Sequence, residues 1–453
     1  MAYSARLVVS GPAMNDHSTS PNHFQVHTSA PLSGRFVTPG DLVTAQHALL
    51  LGALTIGRST IAGLPDHAEI TALVTALRQL GAVIALEEGV ASVNGLGPAG
   101  LLQADGAIAL DALGAAGPLL LGMLGPLAMT TPLTGPVTLS VAERAALRHL
   151  AARIEEGPEG THKLIGPTLS LPIKHRVAGD ADKAMLLLAG LSSPGHALAL
   201  ETVPGGDGLE RLLVQFGADV QTSPDAAGGT VVRLVGLPEL QPVSLSVAGD
   251  PSAASAVIVA ALVVPGSDVV IENVLNQPQR TALIDQLIAM GGHIQFINQR
   301  ELGGEHITDL RVRASRLRGV TVEAAQAATM LEDIPALAVA AAFAQGETLI
   351  EGLAAFRRQQ PDRLTAIARA LVANGVVAAD RGARLRIEGI GSVRGGGTVA
   401  TGEDSALALS LLALGLGSAE PVWLDGPQSA LASMAGALNA LGARIKTQQG
   451  AQP

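Results

Sequence analysis

One stretch of the chain carries the pattern that decides the fold: AASAVIVAALVVPGSDVVIENVLNQPQRTALIDQLIAMGG, residues 253–292. It begins with an apolar run, Ala253–Val264, which leads through a Pro-Gly pair into the β-branched segment Ser267–Ile271. Arg280–Met290 follows, with apolar residues at the spacing of an amphipathic helix. Gly291 comes directly after the last apolar residue, where a left-handed C-cap favours glycine. The stretch therefore predicts a helix, a strand and a second helix, in that order.

The same pattern recurs along the chain and predicts a repeat architecture. The clearest copies close on a glycine-containing triplet: Leu80–Ala82, Phe216–Ala218, Met290–Gly292, Asn374–Val376 and Leu441–Ala443. A sixth, less regular copy closes near Leu150–Ile154. The apolar helices of the six copies are predicted at His47–Ile56, Gly117–Leu127, Lys183–Leu191, Ala253–Val264, Pro335–Ala344 and Ala406–Leu414. Because a helix that is apolar on every side must be buried, we expect an α/β protein with three copies in each of two domains, each domain enclosing its own bundle of helices.

Composition narrows the class of protein. A length of 453 residues suits two or three domains, and the absence of cysteine excludes disulfides and thiolate chemistry. A net charge of −10 and 2% aromatic residues argue against a nucleic-acid partner. The uncharged run Ala112–Met129 contains prolines and occupies the place of an apolar helix, so we interpret it as buried rather than as a membrane span. Residues 1–30 are polar and are expected to form a disordered tail, and we expect a cytoplasmic protein.

Ordered sequence blocks in the second half resemble a known family. They are Gly249–Ser252, Val264–Val269, Glu272–Leu275, Arg280–Thr281, Asp309–Arg313 and Leu337–Ala344. At this spacing the chain resembles the 5-enolpyruvylshikimate-3-phosphate (EPSP) synthase family, particularly its glyphosate-tolerant bacterial class. The resemblance implies a two-domain inverted α/β-prism with three βαβαββ units per domain, six in all. It also implies that residues 31–37 and 247–453 form one domain, that residues 38–246 are inserted as the other, and that the active site lies in the cleft between them.

The resemblance also implies a reaction. In this family the enolpyruvyl group of phosphoenolpyruvate moves onto the 5-hydroxyl of shikimate 3-phosphate, and phosphate is released. No metal or organic cofactor takes part, and a monomer is expected. Two phosphates and two carboxylates require several Lys and Arg side chains, and the proton transfers require an acid/base pair.

In the first half, the chain departs from the family at most substrate-binding positions. Asp41 is kept, but the next family lysine is Leu42, the phosphate-binding serine is Val43 and the arginine is His47. The phosphoenolpyruvate loop falls within Asp111–Met123, which contains neither Asn nor Arg. The following arginine aligns with Ala142, with Arg144 or Arg148 as alternatives. A Ser-Ala-Gln-x-Lys segment reads Gly179–Lys183 and keeps only Lys183, with Ala181 at the position of the glutamine.

In the second half, the acid/base positions are also altered. The family proton acceptor aligns with Glu332, and the following acid is Asp333, so Asp and Glu have exchanged places. A family lysine and the catalytic glutamate have become Gln359 and Gln360. Arg363 is kept, and the last family arginine is Ala406. We therefore assign Glu332, Asp333 and Gln360 to the catalytic positions and the remaining residues to substrate binding.

Each retained residue also has a purely structural interpretation. Arg363, with Asp362 before it, suits a helix start as well as a phosphoenolpyruvate contact, and the acids at 332 and 333 suit helix capping as well as proton transfer. His47 is either an acid/base or a surface histidine, and Lys183 either reaches the cleft or serves the scaffold. Three functions stay open: an enolpyruvyl transferase whose parent activity is weakened or lost, a re-purposed enzyme acting on a less anionic ligand, and a non-catalytic binder of a metabolite or protein.

Overall fold

The computed structural model describes residues 22–202, 208–225 and 228–449, which contain 24 strands and 15 α-helices. The strands are β1 (Asn22–His27), β2 (Ser33–Val37), β3 (Ile56–Ala62), β4 (Val83–Glu87), β5 (Val90–Leu96), β6 (Ile108–Ala109), β7 (Thr130–Thr134), β8 (Arg153–Glu156), β9 (Thr161–Ile165), β10 (Ile173–Arg176), β11 (His196–Glu201), β12 (Val220–Pro224), β13 (Thr230–Val235), β14 (Ser244–Ser246), β15 (Asp268–Leu275), β16 (His293–Leu302), β17 (Glu305–Arg313), β18 (Thr321–Val322), β19 (Gln345–Ile350), β20 (Val377–Asp380), β21 (Leu385–Ile390), β22 (Thr398–Ala400), β23 (Val422–Asp425) and β24 (Arg444–Gln449). The helices are α1 (Leu42–Ala53), α2 (Ala68–Gln79), α3 (Leu110–Leu113), α4 (Ala116–Leu124), α5 (Val141–His149), α6 (Asp180–Gly190), α7 (Leu209–Gln215), α8 (Pro251–Val263), α9 (Ala282–Ala289), α10 (Ala324–Ala327), α11 (Ile334–Ala342), α12 (Ala354–Gln359), α13 (Arg363–Ala373), α14 (Ser405–Gly417) and α15 (Gln428–Ala440).

The strands form six four-stranded sheets with one shared pattern. Their orders are β14-β3-β5-β4, β6-β7-β9-β8, β10-β11-β13-β12, β2-β15-β17-β16, β18-β19-β21-β20 and β22-β23-β1-β24. In every sheet the first strand pairs parallel to the second, and the remaining pairs are antiparallel. A parallel pair needs a crossover connection, and in four of the six sheets the apolar helix that lies between the two paired strands in the chain supplies it. In the other two sheets the parallel pairs, β14 with β3 and β2 with β15, join strands that are far apart in the chain. The prediction of an α/β fold built from six βαβαββ units is confirmed.

The apolar helices lie inside the sheets, at the centres of two separate hydrophobic cores. The first core takes its buried residues from between Ala45 and Val247 and surrounds α1, α4 and α6. The second takes them from Phe24–Phe36 and from Ala254–Ile445 and surrounds α8, α11 and α14. The strand pairing is consistent with a chain that passes from one core to the other twice. Strand β2 pairs with β15 of the second core, and β14, just before the return, pairs with β3 of the first core. The exact domain boundaries at residues 37/38 and 246/247 stay a prediction.

Two local predictions differ from the structure. Of the expected disordered tail, residues 1–21 lie outside the described part of the chain, but Asn22–His27 form β1, which lies between β23 and β24. Phe24 and Val26 are buried there and alternate with polar residues, which is the pattern of a half-buried strand. The polar composition of the whole segment, on which the prediction of a disordered tail rested, outweighed this short alternation. Helix α1 begins at Leu42, five residues before the predicted start, because the Asp41 side chain accepts a hydrogen bond from the backbone N–H of Thr44 and caps it.

The close packing of α4 against α6 provides a test of the helix bundle. A Cβ added at Gly122 would lie 2.7 Å from Met185 Cγ and closer still to the Met185 carbonyl oxygen, whereas a Cβ at Gly436 in α15 meets nothing within 4 Å. We expect Gly122→Ala to lower the free energy of unfolding by about 1–3 kcal/mol, because the helices must separate. The matched variant Gly436→Ala should raise it by up to about 1 kcal/mol through helix propensity. Urea unfolding measures both, and equal effects at the two positions would contradict the tight contact.

Candidate active site

The two chain crossings meet beside Asp41. Gly40 and Gly249 form an antiparallel bridge that holds the crossings together. Asp41 Oδ2 accepts a hydrogen bond from the Arg280 guanidinium at 2.5 Å, and the same guanidinium donates to Asp250 Oδ1 at 3.0 Å. Since Asp41 precedes α1 and Arg280 precedes α9, this ion pair joins the two halves of the molecule. The match to the family favours a scaffold role for Arg280, but the sequence did not predict its two acidic partners.

A second ion pair also joins the halves. Arg211 of α7 donates to both carboxylate oxygens of Glu305 in β17, at 3.0–3.1 Å. Gln277 donates to the same carboxylate at 2.6 Å. Glu305 is buried, so its charge is balanced within the protein.

The family positions at the start of α1 carry no cation. Leu42 and Val43 are partly buried, and Leu42 packs against the first core. His47 is 1% exposed, so the surface interpretation is wrong. Burial lowers the pKa of His47 to about 4, and among the described residues neither ring nitrogen has a hydrogen-bond partner. His47 is therefore neutral at pH 7 and cannot replace the charge of an arginine.

Lys183 lies in the first turn of α6 and is 1% exposed. Its Nζ lies 2.8 Å from Glu210, 3.1 Å from Glu201 and 3.5 Å from Asp180. A buried ammonium requires such partners, because desolvation of an isolated charge is very costly. Lys183 thus carries a charge that carboxylates already balance.

Asp333 is a buried acid at the end of the short 3₁₀ turn Leu331–Asp333. Burial raises the pKa of Asp333 to about 7, and the charge of Asp250 adds to this while Ser252 Oγ donates a hydrogen bond at 3.2 Å that opposes it. Burial, followed by the charge of Asp41, likewise raises the pKa of Asp250. The Asp333 side chain makes no capping hydrogen bond to α11, which favours proton transfer over capping as the role it is suited to.

Glu332 and Arg363, which both lie in the second half of the chain, form an ion pair. Arg363 Nη1 donates to Glu332 at 2.7 Å, and its Nε and Nη2 donate to Asp404 at 2.7 and 3.1 Å. The guanidinium also lies 5.4 Å from the centre of the Phe356 ring. The Glu332 side chain is 66% exposed, whereas Arg363 is nearly buried. Asp362 occupies the N-cap position of α13 without a capping bond, so Arg363 is held by tertiary contacts.

The remaining predicted positions contribute no charge. Gln360 is exposed at the end of α12, and Gln359 is the last residue of that helix. Ala181 is exposed in α6, whereas Ala142 in α5 and Ala406 in α14 are partly buried. None of these side chains carries a positive charge, and none can transfer a proton at neutral pH.

The alternatives to Ala142 do not restore a cation there. Arg144 donates to the backbone carbonyls of Leu139 and Val137, at 3.3 and 3.0 Å. Arg148 lies in the last turn of α5, beyond the segment that forms the site. The guanidinium of Arg144 therefore braces a loop.

A cavity of about 410 Å³ opens beside that loop. Its lining comes from two segments, residues 110–121 and 136–143. These are the segments that the resemblance assigns to the phosphoenolpyruvate loop and to the arginine block. Apolar side chains predominate, and Asp111 and Glu143 supply two carboxylates. No lysine or arginine in the described ranges contributes to the lining.

The described residues contain neither a membrane-spanning helix nor a cluster of metal ligands. Within the described residues, no helix is long and apolar enough to cross a membrane. No group of three or more His, Cys, Asp or Glu side chains in that part of the chain could hold a metal ion.

The raised pKa of Asp333 makes a prediction about stability. An acid with a higher pKa in the folded than in the unfolded chain stabilises the fold fully below about pH 4, and the stabilisation is lost as pH rises through the folded pKa, here about 7. Compared with Asp333→Asn, the wild type should therefore lose up to about 4 kcal/mol of unfolding free energy across this window, at about 1.4 kcal/mol per pKa unit. Urea titrations at several pH values measure the difference. The exposed Asp105→Asn serves as the control, and parallel curves for wild type and Asp333→Asn would contradict the assignment.

The chain is similar to known proteins over most of its length. The family model for EPSP synthase (3-phosphoshikimate 1-carboxyvinyltransferase) matches residues 26–450. The chain is 39% identical over 423 residues to the 3-phosphoshikimate 1-carboxyvinyltransferase of Parvibaculum lavamentivorans, covering 91% of this chain and 93% of the relative. It is 38% identical over 419 residues to the enzyme of the same name from a Pseudomonas strain, with 90% and 93% covered.

Solved structures show the same architecture. EPSP synthase from Acinetobacter baumannii superposes with a TM-score of 0.85 at 28% identity, covering 94% of this chain and all of that one. The enolpyruvyl transferase NikO from Streptomyces tendae gives a TM-score of 0.74 at 18% identity, with 95% and 100% covered. At that identity the second likeness concerns the fold alone.

Proposed function

Because this chain belongs to the EPSP synthase family, we propose that its cleft is an enolpyruvyl transferase site in which the 3-phosphoshikimate 1-carboxyvinyltransferase reaction is weakened or lost. The chain keeps the scaffold of the family over its full matched length. Its substrate-binding positions differ. Function is therefore argued from the residues of the cleft rather than from the fold.

One observation carries the proposal: carboxylates already neutralise each cation that the cleft retains. Lys183 is paired with Glu201 and Glu210, and Arg363 is paired with Glu332 and Asp404. A third set of pairs links Arg280 to Asp41 and Asp250. To bind a phosphate or carboxylate, any of these cations must first give up a partner. That exchange removes much of the free energy that the contact would supply.

The replaced positions add to this loss. Leu42, Val43, His47, Ala142 and Ala406 stand where the family places polar or cationic groups. Each charge-assisted hydrogen bond contributes about 1.5–3 kcal/mol, so five lost contacts correspond to roughly 7–15 kcal/mol if their effects add. Even the lower limit is about five decades of affinity. Two substrates that together carry two phosphates and two carboxylates have few partners left.

The proton-transfer positions support the same conclusion. Gln360 does not titrate, and Glu332 at the acceptor position is held by Arg363 at 2.7 Å. Asp333, with its pKa near 7, is the group best suited to exchange a proton at neutral pH. This favours the second candidate function, an enzyme that acts on a less anionic ligand in the same cleft.

Titration calorimetry with each parent substrate tests the proposal. We expect neither shikimate 3-phosphate nor phosphoenolpyruvate to bind with a dissociation constant below about 1 mM, which corresponds to about −4 kcal/mol. The Parvibaculum relative, titrated in the same buffer, is the positive control. Micromolar binding of either substrate would show that the ion pairs open readily, and would contradict the proposal.

A further inference from the structure

The hairpin β16–β17 reaches from the second half of the molecule to the first. Its strands are the two longest that the structure describes, at 10 and 9 residues, and only Gly303 and Gly304 separate them. Both glycines have a positive φ, 56° and 70°, which a type I′ turn requires. A Cβ added at Gly303 would lie 2.5 Å from the Ser246 carbonyl oxygen in β14, and one at Gly304 would overlap the Gln215 side chain in α7. The tip of a hairpin from the second half therefore rests on two elements of the first.

An ion pair fastens this tip. Glu305, the first residue after the turn, accepts hydrogen bonds from Nε and Nη2 of Arg211 in α7, through both of its carboxylate oxygens. Gln277, which belongs to the second half, donates to the same carboxylate at 2.6 Å and holds it in place. Because a two-pronged contact between a guanidinium and a carboxylate is directional, it fixes the orientation of α7 relative to the hairpin as well as their distance.

A small apolar cluster lies under the hairpin and belongs to neither of the two cores. Ala248, Leu275 and Ile307 are buried in it, and Leu302 packs against them. Ala248 lies in the second chain crossing, whereas the other three come from β15, β16 and β17. The Leu275 backbone N–H also donates to the Gly249 carbonyl at 2.8 Å. The crossing segment is therefore attached to the base of the hairpin by apolar contacts and by backbone hydrogen bonds.

Two β-bulges bend the hairpin, one in β15 and one in β16, and both lie beside Asp309 of β17. Asp309 is buried and accepts hydrogen bonds from the Asn273 backbone N–H and from Asn298 Nδ2, each at 3.0 Å, and from the Arg300 guanidinium at 3.1 Å. Asn273 and Asn298 have φ values of 62° and 51°, in the left-handed region that asparagine tolerates better than most residues. Since bulges bend a strand and increase its twist, this arrangement sets the direction in which the hairpin extends.

We propose that the hairpin β16–β17 is a strap that holds the two halves of the molecule in one arrangement before any ligand binds, with the Arg211–Glu305 pair as the contact that fastens its tip. The Asp41–Arg280 pair beside the crossings adds a second attachment. The cleft is then formed in advance rather than by closure of the halves around a ligand. This inference goes beyond the proposed function and does not depend on it, because it concerns the position of the halves and not the chemistry between them.

A distance measurement on the full-length protein tests the single arrangement. The chain contains no cysteine, so spin labels can be placed selectively at Gln79→Cys in α2 of the first half and Arg369→Cys in α13 of the second, both exposed positions on helices. Pulsed double electron–electron resonance without ligand should give one narrow distance distribution. A broad or two-peaked distribution would overturn the proposal, because it would show that the halves move relative to each other while the strap is intact.

Amide hydrogen exchange tests the fastening contact. Residues 246–250 of the crossing are protected by backbone hydrogen bonds, among them those that Val247 and Gly249 donate to the other segments. We expect Arg211→Ala to accelerate exchange in residues 246–250 at least about tenfold, the change that about 1.4 kcal/mol produces. Arg153→Ala, which removes an exposed ion pair within β8 of the first half, is the matched control and should exchange as the wild type does.

A further variant separates the ion pair from a general loss of stability. Glu305→Gln removes the charge but keeps the size of the side chain, and it should accelerate exchange in residues 246–250 in the same direction. Arg211→Ala combined with Glu305→Gln should exchange no faster than Arg211→Ala alone, since both changes remove one contact. Cooperative thermal unfolding of each sample establishes that it is folded. Unchanged exchange in Arg211→Ala, or fully additive effects of the two changes, would overturn the proposal.

The two proposals can fail separately. If the parent substrates react at the rate of an intact relative while the distance distribution is narrow, the proposed function fails and the strap stands. If the parent substrates do not bind and the distribution is broad, the proposed function stands and only the strap is contradicted.

Discussion

The purified protein is expected to release phosphate from shikimate 3-phosphate and phosphoenolpyruvate at least about a hundredfold more slowly than an intact relative, since the loss of one positioned acid or base costs about 10²–10⁴ in rate. The Parvibaculum enzyme, 39% identical to this chain, is the natural comparison. Both proteins should be assayed side by side at saturating substrate, with a phosphate-release readout.

Two independent losses support this expectation. At the proton-transfer positions, Gln360 cannot titrate and Glu332 is paired with Arg363. At the anion positions, Leu42 and Ala406 have replaced cationic side chains of the family. Because transition-state stabilisation by such groups is largely electrostatic, losses at both kinds of position lower the rate together.

A matched variant separates the two losses. Gln360→Glu returns a titratable carboxyl to an exposed position without restoring any cation. We expect it to recover at most about tenfold in rate, a small part of the deficit that one acid or base accounts for. Cooperative thermal unfolding of both samples establishes that each is folded. Wild-type turnover within about a hundredfold of the relative would contradict the proposed loss of the parent activity.

Lys183→Ala is expected to lower the free energy of unfolding by about 3–5 kcal/mol, the cost of breaking a buried ion pair from one side. Lys183 Nζ lies within 3.5 Å of three carboxylates, and Glu201 among them is buried. Removal of the ammonium leaves those negative charges close together, with Glu201 buried and Glu210 only partly exposed. The loss in stability then comes mainly from the stranded acids rather than from the missing side chain.

The controls follow from that explanation. Lys174→Ala removes an exposed lysine from β10 and should change stability by less than about 0.5 kcal/mol. A variant that combines Lys183→Met with Glu201→Gln and Glu210→Gln removes the charges together and should recover a large part of the loss. Urea unfolding provides all three values. A loss below about 1 kcal/mol for Lys183→Ala would show that the cluster is solvated, as surface pairs are.

The architecture could be predicted because the patterns that identify each repeat lie in short, continuous stretches of the sequence. The spacing of apolar residues and the glycine after each amphipathic helix identify one repeat at a time, and six repeats suffice to predict six sheets. The prediction was less successful in two segments that precede the first repeat. It missed β1, in which His23, Gln25 and His27 alternate with two buried residues, and it placed the start of α1 too late because Asp41 is a cap.

Some properties of the candidate site also follow from the sequence, and others follow only from the tertiary structure. The sequence by itself determined which side chains are present, and so which charges the cleft lacks: Leu42, Ala142 and Ala406 hold none, and Gln360 cannot titrate. Only the tertiary structure decided what the retained charges do, because their partners are far away in the chain. Asp41 and Arg280 are 239 residues apart, and Arg363 and Asp404 are 41 apart. Burial also depends on the tertiary structure. The neutral state of His47 and the high pKa of Asp333 result from the elements packed around these side chains, which no local sequence pattern predicts.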